Sequence, residues 1–269
     1  MRSAILLAAL TASPIWAADA PYWPELSAEI FGQRMLLDGA DVIAVDAPYR
    51  TGDDARTQIA ARIAAPEDTT LAKVSLILDE NPMPLSAVFA FDEPLPRFFF
   101  DVTMRVNGPT PVHVVAEMSD GRTFVAETFV KTSGLGACAA PPGTDPEEAL
   151  ASLGQMEIGV GELPFGEGPG DLLAALEAPD MKVDVTVSHP SHSGMQMDQI
   201  SLLYIPMRYV ERLDVDLDGA GYVDMTGSIS LSENPTVSLS VPKATQSVDV
   251  TMTDTEGSES RAHLDLPGY

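Results

Sequence analysis

The chain has one cysteine, four histidines and only fifteen basic residues among 269. A lone cysteine has no internal partner, so no disulfide can staple the fold. Stability must come from apolar burial, and a 45% hydrophobic chain of this length supports two ordinary domains. Forty acidic residues against fifteen basic give a formal charge of -25, which repels phosphate backbones and anionic lipid; nucleic acid and membrane surfaces are poor partners. The sequence also lacks Cys-x-x-Cys, His-Glu-x-x-His, Gly-x-Ser-x-Gly and a phosphate-binding loop, the common local signatures of redox, zinc and hydrolytic chemistry. No enzyme, cofactor or metal is expected.

The opening apolar run is short. Arg2 supplies a positive start, Ala4 to Leu10 the apolar stretch and Ile15-Trp16-Ala17 a cleavage site, which together read as an export signal over residues 1–17. A membrane-spanning helix would need about 20 apolar residues. The mature protein is therefore expected in a bacterial periplasm without a membrane anchor. In such an oxidising compartment an unpaired thiol is exposed to oxidation, so Cys138 calls for a use.

What the chain does have is alternation. After a short amphipathic helix predicted over Pro24 to Phe31 and closed by Gly32, apolar residues recur at every second position from Arg56 to Lys131. Ile59, Ala61, Ile63, then Val74, Leu76, Leu78, then Phe98, Phe100, Val102 and Val112, Val114 predict five or six strands. Asn81-Pro82-Met83-Pro84, Asn107-Gly108-Pro109 and Ser119-Asp120-Gly121-Arg122 punctuate them, the last as a hairpin. A second strand-rich block has runs at Lys182 to Ser188, Leu202 to Asp214, Tyr222 to Leu231, Thr236 to Val241, Gln246 to Thr253 and Arg261 to Leu266. The pattern predicts an all-β protein of two immunoglobulin-like β-sandwiches, residues 18–131 and 181–269, joined over 132–180 by a flexible arm and a short helix that Asp145 caps.

Cys138 lies in that arm, among Gly134, Gly136, Ala137, Ala139 and Ala140. These residues are too small to pack a core, and no period of strand or helix surrounds the thiol, so it is expected at an exposed apex. A dozen flexible residues span roughly 20 Å, enough to enter a partner's active site. Lys131 is the only cation near in sequence, while Asp145, Glu147 and Glu148 disfavour a thiolate; the cysteine suits a cargo carrier better than a catalytic nucleophile. Three other patterns fail on inspection. Gly134-x-Gly136-x-x-Ala139 is followed by Pro141-Pro142 where a dinucleotide-binding helix would start. Asp214-Val215-Asp216-Leu217-Asp218-Gly219 opens like a calcium loop but places Met225 where a glutamate belongs; it reads better as a strand entering a hairpin. His189 and His192, with Met195, Met197 and Met207, offer soft copper ligands, though methionines more often fill cores.

These residues resemble a known arrangement. A first domain closing on a small-residue arm with one cysteine is similar to SoxY, the carrier subunit of bacterial thiosulfate oxidation, whose arm reads Gly-Gly-Cys-Gly-Gly. Asp79-Glu80-Asn81-Pro82 and Ser119-Asp120-Gly121-Arg122 fit it as well. The second domain resembles SoxZ through Ser188-His189-Pro190, Ile205-Pro206, Ser232-Glu233-Asn234-Pro235 and Thr253-Asp254-Thr255-Glu256-Gly257. The resemblance implies two sandwiches packed within one chain, no cofactor, and a cysteine that holds a sulfur-containing substrate covalently while separate enzymes act on it. Fused carriers of this kind look like a group associated with quinoprotein dehydrogenases, so the implied partners are periplasmic sulfur-oxidising or quinoprotein dehydrogenase-associated enzymes. A non-covalent adaptor of such a dehydrogenase is the rival reading.

Overall fold

A computed structural model describes residues 22–164 and 180–266. The stretch read as an export signal lies outside them. Among the described residues no helix is long and apolar enough to cross a membrane.

The alternating runs become strands. The first half contains β1 (Leu36–Asp38), β2 (Ile43–Asp46), β3 (Thr57–Ala64), β4 (Leu71–Leu78), β5 (Leu85–Leu95), β6 (Arg97–Met104), β7 (Thr110–Met118) and β8 (Thr123–Val130). The second contains β9 (Met156–Gly161), β10 (Asp180–Val187), β11 (Val210–Leu217), β12 (Ala220–Thr226), β13 (Thr236–Pro242), β14 (Ser247–Asp254) and β15 (Glu259–Asp265). The punctuation is where the sequence puts it. Asp218 and Gly219, at φ 53° and 78°, turn β11 into β12, a left-handed pair that the Asp-Gly sequence favours. Helix α1 (Trp23–Phe31) buries Leu26 and Phe31 against Ile77 and Val115, and Trp23 stacks flat on His113 with ring centroids 3.6 Å apart.

Two readings of the sequence change. The run at Leu202 to Asp214 becomes strand only from Val210, because Tyr204 and Arg208 before it are bridged to Met197 and His192 instead of to a sheet. Strand β9 forms inside the Gly-rich stretch read as arm and linker, where pairing along β10 supplies the order that its own composition does not.

The strands make two sheets, and each sheet runs through both halves of the chain. The larger has the order β1-β8-β7-β4-β5-β12-β11-β14-β15, the smaller β2-β3-β6-β13-β10-β9. The halves join edge to edge: β5 pairs antiparallel with β12 from Val88↔Thr226 to Phe91↔Val223, and β6 with β13 from Phe100↔Leu239 to Val102↔Val237. Each half is an immunoglobulin-like sandwich, yet a single apolar core fills both, from Ile59, Phe89 and Phe100 in the first to Val183, Leu213 and Val250 in the second. Joining removes four sheet edges that would otherwise expose unpaired N–H and C=O groups.

The ladders also decide which loops meet. Strands β4, β8 and β12 run parallel to one another, as do β6 and β10, and the segments that follow them converge on one rim of the joined sandwich. The cysteine lies there.

Candidate functional site

The segment leaving β8 crosses this rim. Gly134 and Gly136 adopt φ of 81° and 79°, angles at which a side chain is strained, and so steer the chain into a 3-10 turn, Ala137–Ala139. Sequence reading places the sulfur at an exposed apex; in the structure Cys138 is 0% exposed, Ala137 is buried beside it, Ala140 is half-buried and Ala139 faces out. Ala137 is the position where small size counts, because it is buried; a Cβ at Gly134 would meet nothing within 4 Å and one at Gly136 only Asn107 Oδ1 at 3.8 Å, so the glycines serve for their backbone angles.

The segment is held by its main chain. Cys138 N–H donates to Asn107 Oδ1 (3.1 Å), Ser193 Oγ donates to the Cys138 carbonyl, and Gln196 Nε2 donates to the Ala140 carbonyl (3.0 Å). Further along, Gly143 and Thr144 N–H groups donate to the Glu233 carboxylate, both at 2.8 Å. Asn107 belongs to the first half, and Ser193, Gln196 and Glu233 to the second. Asn81 braces them: its Nδ2 donates to the Arg105 carbonyl (2.8 Å) and Ser230 Oγ (2.9 Å), and its Oδ1 accepts from Asn107 N–H (2.9 Å).

A buried cation lies near enough to act on the sulfur, and it is not Lys131. Arg105, 2% exposed at the end of β6, donates from Nη1 to the carbonyls of Ser191 (2.6 Å), Leu231 (2.7 Å) and Ile229 (3.3 Å). Neutral acceptors satisfy its hydrogen bonds, so its charge acts at longer range on Glu233 and on Cys138. Burial pushes the Cys138 thiol up from its ordinary value, and Arg105 offsets only part of that. The docked sulfur is a protonated thiol at neutral pH. A cleft of about 320 Å³ opens next to the turn, walled by Arg105, Arg56, Asp53, Glu233, Gln196, Ala137 and Ala140; Cys138 does not line it. Arg105 was legible only as a charge at the end of the apolar run Phe98 to Val106, since nothing in the sequence ties it to a cysteine more than thirty residues on.

The histidines considered as copper ligands have other partners. His189 Nδ1 accepts from Ser191 N–H (2.9 Å), and its Nε2 lies 3.5 Å from Asp254, whose carboxylate Arg208 holds at 2.8 Å. Burial drives the His189 pKa down to about 4, so the ring is neutral. His192 Nδ1 meets Gln196 Oε1 at 3.2 Å, while Met197 and Met207 are exposed. Among the described residues no group of three or more His, Cys, Asp or Glu is arranged to hold a metal ion.

Two family models match the chain: Sulfur oxidation protein SoxY over residues 27–138 and Sulphur oxidation protein SoxZ over residues 174–265. The chain is a fused SoxY–SoxZ-like carrier. The SoxY match ends at Cys138, and the SoxZ match spans Ser193, Gln196 and Glu233, so the site is assembled from both. Among solved structures, the sulfur carrier protein SoxY from Chlorobium limicola f thiosulfatophilum aligns at 20% identity over 42% of this chain and 96% of that one, with a TM-score of 0.36. A superoxide reductase (neelaredoxin) from Ignicoccus hospitalis aligns at 15% identity over 34% of this chain and 80% of that one, TM-score 0.29. The β-glucuronidase of Parabacteroides merdae aligns at 9% identity over 83% of this chain and 24% of that one, TM-score 0.24. No curated protein matches the chain.

Proposed function

We propose that this protein is an exported, non-enzymatic carrier whose Cys138 holds a sulfur-containing intermediate covalently and presents it to separate periplasmic enzymes, with residues 132–180 as the arm and linker. The observation that carries this reading is the place of the only cysteine: it is the last residue of the SoxY match, on a segment whose main chain is anchored to both halves. Five such bonds, counting the two to Glu233, each worth about 1 kcal/mol net, act together with the burial of Cys138 and Ala137 and keep the undocked population below about 1% of molecules. Reaction belongs to the undocked state. There the Cys138 thiolate attacks a sulfane sulfur carried by a partner's cysteine; the new S–S bond forms on Cys138 and the partner's thiolate leaves, with no net oxidation.

Association with a quinoprotein dehydrogenase system rests on the family resemblance of the fusion alone. Intact-mass spectrometry of protein from its native host, with and without reductant, followed by peptide mapping, tests the carrier. A reducible mass increase on the Cys138 peptide, absent in Cys138→Ser, is expected. A uniformly unmodified thiol across growth conditions would overturn the reading in favour of a non-covalent adaptor.

A further inference from the structure

The Cys138 segment is held from the SoxZ half by Glu233 and by a protruding hairpin, and the outer end of that hairpin is apolar. Residues 192–208 leave the body between β10 and β11 as two short arms bridged at His192↔Arg208 and Met197↔Tyr204. Ile205 N–H donates to the Gln196 carbonyl (2.8 Å) and Arg208 N–H to that of His192 (3.0 Å). At the base, Ser193 and Gln196 are buried and make the two bonds to the Cys138 and Ala140 carbonyls; Gln196 Oε1 also accepts from Ser193 N–H (3.3 Å), which ties the Gln196 side chain to the Ser193 main chain.

The tip is built rigidly and faces water. The Asp198 carboxylate accepts from Ile200 N–H (3.2 Å) and Ser201 N–H (2.6 Å), Leu202 N–H closes onto the Asp198 carbonyl (2.9 Å), and Asp198 N–H onto that of Leu203 (2.9 Å). Ile200 is 95% exposed, Leu202 68%, Leu203 69% and Tyr204 67%, with Met197 and Met207 on the arms below. Single exposed apolar residues are ordinary; a contiguous group on a preorganised loop marks a contact surface. Leu202 sits at φ 60°, a left-handed conformation that suits glycine or asparagine and strains a leucine. The strain shows that the tip presents an apolar side chain where folding alone would select another residue.

We infer that this tip is the docking element for the enzymes that load Cys138, and that docking is relayed through Gln196 and Ser193 to release the cysteine segment. The inference rests on the carrier reading. The occupant is a protein with an apolar socket ringed by Lys and Arg, because the surface around the tip belongs to a chain of charge -25. The same charge opposes the two other occupants. The tip carries none of the basic residues that accompany membrane insertion, and a second copy would bring an equal negative charge.

The test uses the full chain and a variant with Ile200→Ser, Leu203→Ser and Tyr204→Ser. Its readouts are the Cys138 adduct in the native host and the rate at which iodoacetamide labels Cys138 in vitro, with and without a host extract freed of small molecules. Alone, both proteins are expected to melt at the same temperature and to be labelled at the same rate. The extract is expected to speed labelling of the native chain at least tenfold and leave the variant unchanged, while adduct occupancy in the variant falls at least tenfold. Gln196→Ala is expected to raise the labelling rate several-fold without any extract. Equal loading and labelling of native chain and tip variant, in a host where the native chain carries the adduct, overturns the docking role alone; a native chain without adduct overturns the carrier reading and this inference with it. Tip-dependent binding to phosphatidylglycerol vesicles, or tip-dependent dimerisation, would reassign the surface and also overturn it.

Discussion

Burial keeps the Cys138 thiol protonated, and the direction of that shift fixes how docking responds to pH. The docked state binds a proton that an undocked thiol gives up at an ordinary pKa of about 8.5. The stability that this gives docking is therefore complete below that pH and is lost as pH rises towards the raised value. Alkylation of the native protein by iodoacetamide, compared with the urea-unfolded chain, is expected to be slower by at least about a hundredfold at pH 7, from the small open population. The gap should narrow above about pH 9. Equal rates at pH 7 would show a segment that does not dock. The lone cysteine stood out in the sequence, but its environment was not legible there. A Gly and Ala-rich stretch has no period from which burial can be read, and its anchors, Asn107, Ser193 and Gln196, are ordinary polar residues whose relevance depends on which loops the sheets bring together.

The strands and their turns were readable because each half-buried strand alternates and each hairpin carries its own turn residues, as at Asp120-Gly121 and Asp218-Gly219. Edge pairing was not, since nothing local distinguishes β5 and β6, which meet the other half, from strands that end a sheet. Ala90 tests the joint directly. It pairs with Lys73 of β4 on one side and Asp224 of β12 on the other. Ala90→Pro should cost about 3 kcal/mol by removing a ladder bond and crowding its neighbours. The melting temperature should fall by roughly 6–12 °C. Calorimetry is expected to show one transition before and after the substitution, because one core spans both halves. Two resolved transitions would mean that the halves unfold separately.

At the scale of the whole molecule, a formal charge of -25 sets the range and sign of every encounter. A basic partner is drawn in over about 30 Å at 0.01 M salt but only about 8 Å at 0.15 M. The initial rate of adduct formation by host extract should therefore drop roughly tenfold between those conditions, and a rate indifferent to salt would argue against a basic partner.

The two ladders that cross from one half to the other, β5 to β12 and β6 to β13, have a consequence for supply. A carrier built from two polypeptides falls apart when its subunits are scarce, and its cysteine then loses half of its berth. Here the two parts stay at a fixed local concentration however dilute the protein becomes. One copy holds both parts of the berth, and its two parts are always made in equal number.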